Sequence, residues 1–132
     1  MTVKPEIFVS IDDCRRLFEM ADRVNDCWGV SRSLFEELER ATLLRPWAIP
    51  PNVATMHSLV QFQNEDTGRT SLAKLVYPHE MDGTPGKLSV LSPAGAALLG
   101  LSAGDRIAWP IGDGNVLHYQ LIQVLYQPMG YS

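Results

Sequence analysis

The chain has 132 residues, 45% hydrophobic and 20% charged, a length that fits one domain or a small domain with an appendage. Its net charge of −4 is spread evenly, with seven basic and nine acidic groups in residues 1–50 and four and six in residues 51–132, so neither part has the basic excess of a nucleic-acid binder. No apolar run approaches the ~20 residues of a membrane helix, and Met-Thr-Val-Lys-Pro-Glu has no apolar signal region; we expect a cytoplasmic protein with a protein partner.

Ser10 is the first helix-start signal, with Asp13 as its capping-box partner. Cys14, Leu17, Phe18, Ala21 and Val24 then recur at helical spacing, predicting a helix over residues 11–25. Gly29 breaks it within the turn 26–30. Ser31 or Ser33 caps a second helix, and Ser33 with Glu36 again makes a capping-box pair. Leu34, Phe35, Leu38 and Ala41 form its apolar stripe, and Glu36, Glu37 and Glu39 a solvated face. Two such helices joined by a short turn pack antiparallel, as a hairpin too small to be stable alone. Cys14 and Cys27 on one helix would stand roughly 20 Å apart, too far for a disulfide. Cys14 reads as core and Cys27 as an exposed thiol.

Pro46, Pro50 and Pro51 cannot continue a helix. Residues 46–51 are the one boundary, a semi-rigid linker between an arm of residues 1–45 and a body of residues 52–132. Trp47 is expected to pack on the body. From Val53 the period becomes two, with Met56, Val60 and Phe62 on one strand face. A turn at 64–68 leads to a strand over 70–77, which Pro78 stops, and then a polar loop over 79–86. Lys87–Leu91 is a strand. Ser92 caps the next helix, Pro93 takes its first position and Gly100 ends it in the left-handed conformation. That helix is apolar nearly all round and so is buried. Ile107 and Trp109 start another strand, residues 112–115 make a hairpin turn, and 116–126 form a last strand whose alternation slips near Leu121 and Ile122, the mark of a bulge. The fold class is α+β: a helical hairpin followed by five antiparallel strands round one short helix.

Several patterns imitate active sites. Gly95–Ser102 mimics a phosphate loop, but Leu101 stands where its lysine should be. His57, His79 and His118 lack neighbours at metal-ligand spacing, unless His79, Glu80 and Asp82 draw together. Asp66, Asp105 and Asp113 sit in turns, where Asp serves the local backbone. Phe62, Trp109, Tyr119 and Tyr126 could line an aromatic pocket, or simply be core. We assign no catalytic residue, no cofactor and no metal.

Ser92-Pro93, Gly95–Gly100 and Gly104-Asp105, together with Val53–Met56, Val76-Tyr77-Pro78 and Tyr126-Gln127-Pro128, resemble the C-terminal domain of the Gre-type transcript-cleavage factors. Within that group the residues are most similar to the regulator of nucleoside diphosphate kinase family. The resemblance runs from about Pro50 to Pro128 and implies an FKBP-like body. It also implies a bacterial transcription regulator that binds RNA polymerase near its secondary channel. In Gre-type factors a long coiled-coil arm carries a D-x-x-E pair that holds magnesium at the polymerase active centre. Here the tip has one carboxylate, Asp26, and the arm is short, so cleavage stimulation is not expected. Gre-type bodies dock through a D-S-P motif; Ser92 and Pro93 match it and Leu91 replaces the acid. The resemblance thus implies partner contacts at Leu91, Ser92 and Pro93 on the body and at Asp26 and Trp28 at the tip, in a non-enzymatic monomer that competes with Gre-type factors. A peptidyl-prolyl isomerase and an adaptor acting on a nucleoside diphosphate kinase are the alternatives.

Overall fold

The computed structural model describes residues 4–21, 31–110 and 114–128. Strand β1 (Phe8–Ser10) leads directly into helix α1 (Ile11–Ala21), and helix α2 (Ser31–Arg40) into strand β2 (Thr42–Leu44). Ser10 Oγ accepts from the Asp13 N–H at 2.9 Å, so the expected cap forms. The Asp13 carboxylate, however, turns across to the body, where its Oδ2 accepts from the Met56 N–H at 3.3 Å. Because α2 begins at Ser31, Ser33 lies inside the helix instead of at its cap. The predicted end of the first helix, its turn, Val24 and Cys27 fall outside the described residues.

Strands β1 and β2 pair in parallel, Phe8 opposite Thr42 and Ser10 opposite Leu44. Strands this short carry no readable periodicity. A parallel pair needs a crossover, and the segment carrying α1 and α2 supplies it. Leu17 and Leu34 are fully buried, and Cys14 and Leu38 nearly so. Phe18 of α1 and Phe35 of α2 stack with centroids 5.0 Å apart, closing the seam at its outer edge. Glu37 corrects the expectation of a solvated acidic face: it is only 4% exposed. Lys4 Nζ donates to its Oε1 at 2.9 Å, and Arg40 donates to its Oε2 through Nε and Nη2. A buried carboxylate is retained because cations satisfy it.

Pro46–Ala48 form a single 3-10 turn. That turn points Ile49 into the core and Trp47 outward, 63% exposed, with the Arg45 guanidinium 5.6 Å from the indole centroid. Trp47 therefore does not pack on the body as expected.

The main sheet has five strands in the order β5-β4-β3-β7-β6: β3 (Leu59–Asn64), β4 (Arg69–Val76), β5 (Lys87–Ser89), β6 (Arg106–Pro110) and β7 (Val116–Tyr126). Four of them are antiparallel, but β5 runs parallel to β4, Lys87 opposite Lys74. The loop after β4 returns to the level of Lys74, whose N–H donates to Gly86 O at 2.7 Å. Residues 53–58 are irregular where a strand was expected, apart from one bridge between Val53 and Ser102. The predicted bulge is present: Gln61 pairs with Gln123 and Phe62 with Leu121, so Ile122 is left without an opposite number.

Helix α3 (Pro93–Leu98) crosses from the β5 edge to the β6 edge, and the sheet curls round it. Gly95, Ala96, Ala97 and Leu98 are all buried. One apolar cluster joins Leu17 and Leu34 of the helices to Leu98, Leu101, Trp109 and Leu121 of the body. The Phe8 N–H donates to Gly100 O at 3.1 Å, and Lys4 Nζ lies 5.9 Å from the Trp109 centroid. The result is a mixed α+β fold with a curled, largely antiparallel sheet and few helices.

Candidate partner-binding site

The entry to α3 is built almost entirely from its own hydrogen bonds. Ser92 holds an extended backbone, φ −79° and ψ 155°, as an N-cap requires. Its Oγ accepts from the Gly95 N–H at 3.1 Å and donates to Ser89 O at 2.6 Å. The Ser92 N–H also donates to Ser89 O, at 3.0 Å, and the Leu91 N–H to Ser89 Oγ, at 3.1 Å. Pro93 occupies the first helical position, where its missing N–H removes nothing. The helix end is thereby fixed in shape, and its Ser92 and Gly95 donors are consumed within the chain.

Ser92 and Pro93 are partly exposed. Leu91 is 6% exposed and belongs to the core, so its side chain is not offered beside them. Asp26 and Trp28 lie outside the described residues. Gly95 is helical and Gly100 caps the helix with φ +84°, so residues 95–102 do not form a phosphate-binding loop.

A second group of polar residues sits where α1 meets the body. Asp13 is 1% exposed, and among the described residues its Oδ1 has no hydrogen-bond partner; neither has the buried hydroxyl of Tyr77. Burial pushes the Asp13 carboxyl up to about 6, against the Met56 hydrogen bond and the nearby charges of Arg16 and His57. Burial and then the Asp13 charge push the Tyr77 hydroxyl up as well. His57 adopts a left-handed φ of 66° and approaches both oxygens of Glu80 through Nε2, at 2.8 and 3.0 Å. Burial opposes ionisation of Glu80, but the Tyr77 N–H bond and His57 outweigh it and hold its carboxyl below the usual range. Tyr77 lies edge-on to His57, with 5.6 Å between centroids, and stacks on His79 at 5.8 Å. Asp82 pairs with Lys87 at 3.1 Å. His79, Glu80 and Asp82 are thus engaged with three different neighbours.

Sequence reasoning missed this group. Asp13 was legible as a capping residue, and its actual partner is 43 positions away. No spacing links His57 to Glu80 either. The aromatic residues divide: Phe62, Trp109 and Tyr119 are buried in the core, and Tyr126 is exposed on β7.

A family model described as the C-terminal part of transcription elongation factors GreA/GreB matches residues 49–126. The regulator of nucleoside diphosphate kinase of Escherichia coli K12 is 40% identical over 99 residues, covering 75% of this chain and 73% of that protein. The transcription elongation factor GreA of Chlorobium phaeobacteroides is 32% identical over 93 residues, covering 69% of this chain and 58% of that one. A solved GreA/GreB elongation factor from Nitrosomonas europaea superposes with a TM-score of 0.71 at 39% identity, covering 93% of this chain and all of that one. Helix α3 of this chain, with the Ser92 cap and the Gly100 stop, lies inside residues 49–126, and the chain belongs to the GreA/GreB family, with the regulators of nucleoside diphosphate kinase among its relatives.

Proposed function

We propose that this protein is a non-enzymatic regulator of transcription, acting in the cytoplasm, that binds RNA polymerase near its secondary channel. Residues 52–132 serve as an FKBP-like docking body, residues 46–51 as the linker and residues 1–45 as a short antiparallel hairpin. The observation that carries this reading is the family match across residues 49–126, which includes Ser92, Pro93 and all of α3. The body anchors through Ser92 and Pro93, whose shape is fixed before a partner arrives. The arm occupies the channel entrance and competes with longer-armed relatives. With Asp26 as its one tip carboxylate and Trp28 beside it, it does not stimulate transcript cleavage.

A second reading, an adaptor acting on a nucleoside diphosphate kinase, draws on the name of the 40% identical relative. The isomerase alternative rests on the FKBP-like reading of the fold, and of the four aromatics that could line a pocket Phe62, Trp109 and Tyr119 are buried in the core.

The test is a titration of RNA polymerase with the intact protein and with Ser92→Arg, Pro93→Ala, Asp26→Ala and Trp28→Ala. Pro93→Ala leaves the Ser92 cap in place, so it separates a lost contact from a lost helix. Weakened binding by both body variants, and unchanged transcripts in a backtracked complex, is the expected result. Wild-type binding by both, with loss in the tip variants, transfers the contact to the arm. Retention of a nucleoside diphosphate kinase in place of polymerase favours the adaptor.

A further inference from the structure

Asp13 is a nearly fully buried carboxyl at the contact between α1 and the body, with one hydrogen bond across that contact and, among the described residues, one oxygen without any. Among the described residues it makes no salt bridge. The titratable groups around it are Arg16 and Cys14 on its own helix, His57 in the segment before β3, Tyr77 after β4 and, beyond Tyr77, Glu80. Ser10 holds its backbone N–H from the end of β1. A carboxyl placed in this way is tolerated when neutral and disfavoured when charged.

We propose that Asp13 is a proton-operated latch: neutral, it seats α1 on the Met56 segment of the body, and ionised, it loosens that seat. While α1 is seated, Oδ2 accepts from the Met56 N–H, and that bond is given up to water when α1 lifts. The proton resides on Oδ1, the oxygen without a partner, and passes to solvent water when α1 lifts. No rearrangement of the body is required, since the Met56 N–H is then exposed to water. The direction follows from linkage. The group binds its proton more tightly when seated than when open, so seating is favoured at low pH and lost as pH rises through about 6. The limiting change, from the ordinary 3.8 to about 6, is about a hundredfold in the seating equilibrium. The latch stands independently of the polymerase reading, because it concerns only how two parts of this chain hold together.

The test uses the full chain labelled for NMR, titrated from pH 4 to pH 8. The Asp13 carboxyl carbon should show an inflection near pH 6, and the Met56 amide should report the same midpoint. Hydrogen-exchange protection of the Met56 N–H and the α1 amides, corrected for intrinsic exchange, should fall by tenfold to about a hundredfold across that range. Asp13→Asn, which keeps an acceptor for the Met56 N–H and cannot ionise, should abolish the fall. An Asp13 inflection at or below pH 4, protection that does not change with pH, or an equal fall in Asp13→Asn would each overturn the proposal. Should Asp13→Asn not fold, the wild-type inflection and protection profile decide alone.

Discussion

A Cβ on Gly95 would overlap the carbonyl oxygen of Ser89 and lie 2.8 Å from its carbon. The obstructing atoms are backbone, held by the Ser92 N–H and Oγ, which both bond to that same carbonyl. Gly95 is therefore the point at which α3 can approach β5 at all. Gly95→Ala should destabilise by about 3 kcal/mol or more, at the upper end for overpacking against atoms that cannot move. Urea unfolding followed by far-UV circular dichroism measures it. A loss below 1 kcal/mol would show that β5 can shift and that the approach is not tight.

Gly100 faces two constraints together. Its φ is +84°, and an added Cβ would meet Ile7 Cβ at 2.9 Å and Phe8 O at 3.2 Å. Both neighbours belong to the segment that carries β1 over the end of α3. Gly100→Ala should cost about 2–4 kcal/mol, combining left-handed strain with overpacking. It should also weaken protection of the Phe8 N–H, which donates to Gly100 O. Native-state hydrogen exchange checks that second effect separately from global stability.

The contrast between these two glycines shows what the sequence can and cannot disclose. The end of α3 was legible because every signal is local: Ser92, Pro93 and Gly100 lie within nine positions. The slip at Ile122 was legible for the same reason, since one strand's own alternation reveals it. The clash at Gly95 is set by Ser89, close in sequence but visible only once the strand-to-helix angle is known. Pairing of Phe8 with Thr42, burial of Glu37 under Lys4, and the parallel register of β5 on β4 depend on contacts between segments with no shared pattern. At the candidate site the capping roles of Ser92 and Pro93 were legible from local chemistry, their place at a partner surface came from the family resemblance, and the burial of Leu91 depends on the core cluster it joins.

The buried cluster shared by helices and body makes a prediction about cooperativity. Leu17 and Leu34 are completely buried within the cluster that also contains Leu98 and Trp109. Leu17→Ala and Leu34→Ala should each destabilise by about 2–5 kcal/mol. Unfolding should remain a single transition, with tryptophan fluorescence and far-UV circular dichroism coincident. Separate transitions by the two probes would show that residues 1–45 fold as an independent arm.

His57 is the one described non-glycine residue with positive φ, at 66°. Such a conformation persists when surrounding bonds over-determine it. Here the His57 N–H donates to Leu75 O at 2.6 Å, and the ring reaches the Glu80 carboxylate. Two substitutions separate strain from pairing. His57→Ala loses the ring and keeps the strain; His57→Gly loses the ring and relieves it. The glycine variant should be the more stable of the two by about 1 kcal/mol, the reverse of their order in an ordinary helix or strand. Glu80 adds a pH signature. Its carboxyl titrates below the ordinary 4.5, so the folded chain favours the ionised form. Its contribution is therefore complete above about pH 4.5 and is lost as pH falls through the depressed value. Glu80→Gln should flatten this part of the acid limb, and His57→Gly should flatten it partially, because the Tyr77 N–H still bonds Glu80 Oε1 at 3.0 Å. Thermal melting of the wild type and both variants between pH 3 and pH 7 distinguishes these outcomes. An unchanged acid limb in Glu80→Gln would show that the pair does not hold His57 in its left-handed conformation.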